Sequence, residues 1–235
     1  PNTPYLHQFN NAPMQYAGRL VYERPVLGNA LYTVNGGEYS ADKAHTGTKS
    51  FKLNGAGVYP QNRLKLTENE KYALQMWVSR ANTDVASYQE TAPVSQALAL
   101  GVMVSFYDEN GTNLGQSSVF KPTGELVEGW QKIEGNFEVP ANTENVVFRL
   151  QSGGASGATS TDAYFDDIRV QPLKSKMTCY VYDPTNYKLR ATLDDDNFAL
   201  IYRYDEAGNL YLVQKETIEG IRTIQESRGF MVEQN

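Results

Sequence analysis

The feature that most restricts this chain is the rhythm of its apolar residues. Short alternating runs are separated by clusters of Gly, Asn and Asp, and no long segment holds a helical period. Before Pro172 the runs fall at 19–22, 31–34, 50–53, 72–79, 98–107, 118–120, 133–139, 146–151 and 163–170. The turn clusters between them include VNGGE at 34–38, DENG at 108–111 and SGGASGATS at 152–160, with DENG the clearest hairpin. Strands of this length without intervening helices predict an all-β chain, an antiparallel sandwich or barrel rather than a parallel α/β sheet. A jelly-roll β-sandwich fits best. Hydrophobic residues make up 40% of the chain, so it can bury a core and is not compositionally disordered.

Beyond Pro172 the pattern changes to MTCYVYD, LRATLD, ALIYRYD, LYLVQKET and IRTIQESR, which predict a small C-terminal antiparallel β-meander. The expected organisation is an N-terminal arm over 1–18, a sandwich over 19–172 and the meander over 173–235. A weak internal repeat runs through the meander. Tyr180, Tyr182 and Asp183 recur as Tyr202, Tyr204 and Asp205, each set followed by a turn and a leucine, Leu189 or Leu210. Two such units bury little alone, so they either pack on the sandwich or end a longer array.

The segments AHTGTKSFKL, KYALQMWVSR, VSFYDENGTNL, GWQKIEGNFEVP and AYFDDIRV resemble, in that order, the segments of jelly-roll carbohydrate-binding modules over about residues 20–172. The meander resembles the YD repeats of Rhs-type bacterial surface proteins. Together these imply a carbohydrate-binding module of a larger secreted or cell-surface protein. The alternative is a structural spacer or adhesin module on the same jelly roll, without sugar binding. Pro1 reads as an internal starting point, with any export signal upstream.

Asp166 is the sharpest candidate residue. Strand alternation places it with Tyr164, Ile168 and Val170 on a face that should point inward, where a carboxylate needs a partner. Backbone or Thr hydrogen bonds would serve, and the resemblance implies instead a structural Ca2+. The ion would be held by Asp166 and the main-chain oxygens of Lys43, His45 and Thr48, with Glu23 or Glu38 as a second carboxylate. Sugar recognition asks for exposed rings beside amide or carboxylate groups. In 72–79, Tyr72, Leu74, Met76 and Val78 share one face, leaving Trp77 on the other with Gln75 as a platform or buried beneath a loop. Tyr59, Tyr88 and Tyr107 complete the possible groove, and Trp130 reads as core.

Other classes find little footing. His7 and His45 stand apart, and no nucleophile-elbow, zincin or Walker sequence occurs, so no catalytic residues are assigned and the chain is not expected to be an enzyme. Asp166 and Asp167, adjacent on a strand, should point to opposite faces, and 194–196 reads as a hairpin turn. The alternating charges over 215–228 read as a solvated strand face without a site. A formal charge of -6 leaves no basic field for nucleic acid. Cys179, the only cysteine, excludes an intramolecular disulfide. No run of apolar residues is long enough to span a membrane. The expected partners are a polysaccharide or surface glycan and neighbouring domains of the same polypeptide, with the chain itself monomeric.

Overall fold

The computed structural model describes residues 5–7, 13–16, 19–22, 32–33, 37–54, 59–60, 65–80, 100–152 and 162–227. Its strands are β1 (Tyr5–His7), β2 (Pro13–Tyr16), β3 (Arg19–Tyr22), β4 (Tyr32–Thr33), β5 (Gly37–Ser40), β6 (Ser50–Asn54), β7 (Tyr59–Pro60), β8 (Lys71–Arg80), β9 (Leu100–Tyr107), β10 (Asn113–Gln116), β11 (Pro122–Val127), β12 (Trp130–Glu138), β13 (Asn145–Ser152), β14 (Asp162–Pro172), β15 (Cys179–Tyr182), β16 (Leu189–Leu193), β17 (Ala199–Tyr204), β18 (Leu210–Thr217) and β19 (Gly220–Glu226). No helix lies among the described residues.

Strands β11-β12-β8-β14-β6-β5 form one antiparallel sheet, with β1 added along the C-terminal half of β14, and β10-β9-β13 form the sheet opposite. The chain changes sheets between β8 and β9, β10 and β11, β12 and β13, and β13 and β14, which is the winding of a jelly roll. Alternation fills the space between the sheets. Tyr72, Leu74, Met76 and Val78 of β8 face Leu100, Val102, Val104 and Phe106 of β9, and Ile133, Phe148 and Phe165 close the same core. The other face of β8, with Trp77, points away from this core, as the alternation predicts.

One strand departs from that alternation. In β14, Ala163 and Phe165 enter the main core, and then Ile168 and Val170 do so, because the pairing with β8 slips between Asp166 and Arg169. Asp167 adopts φ 46° at this β-bulge. Tyr164 and Asp166 therefore face outward from the sandwich core, not inward with Ile168 and Val170. The two adjacent aspartates also serve one and the same group of partners instead of opposite faces.

The meander is a five-stranded sheet in the order β15-β16-β17-β18-β19. The aspartate turns have one form. Asp108, Asp194 and Asp205 each donate their N–H to the carbonyl four residues on, Thr112, Phe198 and Asn209. The N–H three residues on, of Gly111, Asn197 or Gly208, returns to the aspartate carbonyl. Each Asp Oδ1 accepts the N–H of the fourth residue. The left-handed third position is filled by Gly or Asn, the residues that tolerate it.

Candidate functional site

The outer face of β8, β12 and β14 is covered by the meander. Trp77, Val127, Trp130 and Tyr164 form a second apolar cluster there, and Phe198, from the 194–198 turn, packs against it. Trp77 is 1% exposed, and its Nε1–H donates to the Asn197 carbonyl at 2.8 Å. The ring of His45 stacks on Trp77 at 4.5 Å, and Phe198 meets Trp77 edge-on at 5.5 Å. A platform for sugar on Trp77 is therefore contradicted: no ring face is open. Trp130 is buried, as expected, but in this outer cluster and not in the core between the sheets.

Beside these rings lies a buried set of charges joining the two parts of the chain. His45 Nδ1 lies 2.7 Å from Asp167 Oδ2 on β14, and Nε2 lies 2.8 Å from Glu216 Oε1 on β18. Both partners are acceptors only, so both ring nitrogens carry protons. Burial alone would lower the pKa of His45, but the hydrogen bonds and charges of Asp167 and Glu216 outweigh it and push it up to about 10. Thr46 Oγ1 donates to Asp167 Oδ1 at 2.7 Å, and Glu216 Oε2 accepts the Ala199 N–H at 3.0 Å. Asp166 accepts the N–H groups of His45 at 2.8 Å, Thr46 at 3.4 Å and Asp167 at 2.8 Å. Burial, and then the charge of Asp167, hold its carboxyl well above the ordinary range against the pull of His45.

Arg169 makes the second joint. Its Nε donates to Gln75 Oε1 at 2.7 Å, and its terminal nitrogens reach the carbonyls of Met177, Asp194 and Asp195. Burial lowers its pKa. On the meander side Met177, Cys179, Leu193 and Ala199 pack together, and burial pushes the Cys179 thiol up to about 11. Glu216, Asn197 and Arg169 went unpredicted. Glu216 sits in the segment read as a solvated face and is 3% exposed, which corrects that expectation.

The described members of the predicted groove, Trp77, Gln75 and Tyr107, do not come together. Gln75 is held by Arg169 under the meander, while Tyr107 lies at the end of β9 in the opposite sheet. Tyr88 lies outside the described residues, as does the side chain of Tyr59. The predicted metal group is brought together only in part. Asp166 and the 43–48 loop meet, but through N–H groups pointing at the carboxylate, and the Lys43 carbonyl accepts the Ser50 hydroxyl at 2.7 Å. Thr48 is half-buried in the same loop, Glu38 is exposed on edge strand β5, and Glu23 lies outside the described residues. No cluster of three His, Cys, Asp or Glu able to hold a metal occurs among the described residues.

Open clefts among the described residues include two to consider. One, of about 720 Å³ at the end of the sandwich, is lined by Lys65, Glu68, Asp108, Asn110, Asn142 and Glu144 among others, and no aromatic ring lines it. The other, of about 380 Å³, lies on the meander, where Tyr202, Tyr204 and Tyr211 share the hollow with Asn186, Arg190 and Asp205. The hairpins at 182–189 and 204–210 build it. Tyr182 pairs with Leu189 and Tyr204 with Leu210, each beside a bulge, and Asp183 and Asp205 each take turn N–H groups on Oδ1.

No family model and no curated protein matches the chain. Among solved structures it is similar to the CBM22-1 xylan-binding domain of Paenibacillus barcinonensis Xyn10C, at 16% identity and TM-score 0.45, covering 73% of this chain and 94% of that one. It is similar also to the CBM22-1–GH10 modules of Clostridium thermocellum endo-1,4-β-D-xylanase 10B complexed with xylohexaose, at 12% identity and TM-score 0.44, covering 73% and 29%. A third is the carbohydrate-binding module CBM6cm-2 of Cellvibrio mixtus lichenase 5A in complex with cellotriose, at 13% identity and TM-score 0.32, covering 58% and 87%. The jelly-roll assignment stands on this chain's own strand order.

Proposed function

We propose that this chain is a non-catalytic carbohydrate-binding module of a larger secreted or cell-surface protein, and that the meander cleft is its glycan groove. The carrying observation is the meeting of three tyrosine rings with a guanidinium, an amide and carboxylates in one open hollow. Pyranose CH faces stack on rings while hydroxyls need directed partners, and the cleft at the end of the sandwich offers only the second. A glycan-array screen of the intact chain tests this, repeated with Tyr202→Ala, Tyr211→Ala and Trp77→Phe. Binding should fall roughly tenfold with either tyrosine change, the upper range for one ring contact, and persist with Trp77→Phe. Binding indifferent to both tyrosines would remove the groove from the meander.

Calcium belongs to the same proposal. Asp166, Asp167 and Glu216 are buried around a single imidazolium, and a hard cation near Asp166, helped by main-chain oxygens of Lys43, His45 and Thr48, would offset that surplus of negative charge. Three N–H bonds to Asp166 argue the other way. Calorimetry after chelation should give heat and a raised melting temperature on adding calcium; neither change would leave Asp166 satisfied by backbone alone. The spacer or adhesin alternative is favoured by the buried bonds between meander and sandwich, which make a stiff joint, and silence across the array from a folded chain would shift the account to it.

A further inference from the structure

We infer that Asn110, in the hairpin turn between β9 and β10, is an acceptor for N-linked glycosylation. Asn110-Gly111-Thr112 is the one place in the chain where an asparagine is followed, two residues on, by serine or threonine with no proline between. Asp108 adds a carboxylate two residues before the asparagine, which bacterial transferases of this class also read. The inference rests on the exported location proposed above and not on the sugar-binding role.

The hairpin presents this triplet without depending on it. Asn110, Gly111 and Thr112 are all exposed. Asp108 holds the turn: its Oδ1 accepts the N–H groups of Asn110 at 2.9 Å and Thr112 at 2.7 Å, and its own N–H donates to the Thr112 carbonyl at 3.0 Å. Only the main chain of Asn110 enters that scheme. The same turn is built with Ala207 and Asn209 in the places of Asn110 and Thr112 at 205–209, and with Asp196 and Phe198 at 194–198. Turn geometry therefore accounts for Asp108 and Gly111 and leaves Asn110 and Thr112 unexplained. Asn110 also lines the polar cleft at the end of the sandwich, so an attached sugar meets lysine, carboxylate and amide groups there and displaces nothing from the core.

In the transfer, the Asn110 side-chain nitrogen attacks the anomeric carbon of an oligosaccharide carried on a lipid pyrophosphate. A C–N bond forms as the bond from that carbon to the pyrophosphate oxygen breaks. The lipid pyrophosphate leaves with the electron pair, and the nitrogen gives up one proton. In the closed hairpin the Thr112 hydroxyl is engaged by Asp108, which makes the newly exported chain a better acceptor than the folded one.

The test is expression of the intact chain, with an export signal added, in a bacterium supplied with an oligosaccharyltransferase and its lipid-linked glycan, read by intact mass. The chain should gain the mass of one glycan. Asn110→Gln and Thr112→Val should lose it, and Thr112→Ser should keep it. Asn110→Gln should melt with the unglycosylated native chain, as Ala207 in the matching place implies, which separates a lost acceptor from a lost fold. An exported, folded chain without added mass overturns the inference. A glycan that persists in Asn110→Gln overturns it too. Either result leaves the carbohydrate-binding role untouched, since that role is read from the glycan array.

Discussion

His45 and Glu216 lie 171 residues apart, and their contact is a buried ion pair joining the sandwich to the meander. Glu216→Ala leaves the imidazolium paired with Asp167 but strips the His45 Nε2–H and the Ala199 N–H of their acceptor, so it should destabilise the fold by about 1–3 kcal/mol, read from chemical denaturation. The same bond sets a pH dependence. The folded pKa of His45 is about 10 and its ordinary value 6.5, so its contribution is full below about pH 6.5 and is lost as pH rises toward 10. Asp166, also raised on folding, acts in the same sense from the acid side. Melting temperature should therefore decline across pH 6.5–10 in the native chain, and that slope should flatten in His45→Gln. Asp166 is buried as expected, and beside the 43–48 loop that the resemblance put there, but on the outer face of the sheet, because the bulge at Asp167 breaks the alternation that placed it inward with Ile168 and Val170. Glu216 was illegible for another reason: the second half of its strand, Gln214 to Thr217, is polar on both faces, and only a partner far away in sequence buries it.

Elements were far more legible, since strands and hairpins answer to neighbours in sequence. The alternation in 72–79 sorts Trp77 from the core residues correctly, and D-E-N-G at 108 and D-E-A-G at 205 fold into turns of the same hydrogen-bonding form. The turn at 194–197 illustrates what locality leaves out. Its sequence marks a hairpin, but the hairpin also offers the Asn197 carbonyl to Trp77 and the Asp194 and Asp195 carbonyls to Arg169. Asp194 Oδ1 accepts the N–H groups of both Asp196 and Phe198, which fixes this geometry. Asp194→Ala should cost roughly 1–2 kcal/mol, about the worth of bonds to a charged acceptor, and shift tryptophan emission to the red. By contrast Asp205→Ala, the matching change on the outer hairpin, should leave the emission unmoved.

On the scale of the whole molecule, the meander takes over a sheet face that a free sandwich would expose. Trp77, Trp130 and Tyr164 would otherwise form an open aromatic patch, and here that patch is the inner surface of a joint. Sealing it moves the available rings to the outer side of the meander, where Tyr202, Tyr204 and Tyr211 lie. This transfer is the centre of the account, and it stands or falls on whether the joint stays shut in solution. The Trp77 indole proton, buried and bonded to Asn197, reports it directly. Hydrogen exchange of that proton, followed by NMR, should occur only through global unfolding, with the same free energy as the slowest backbone amides of β8. Fast exchange of the indole while those amides remain protected would mean that the meander lifts from an intact sandwich, and would return Trp77 to the list of surfaces open to a ligand.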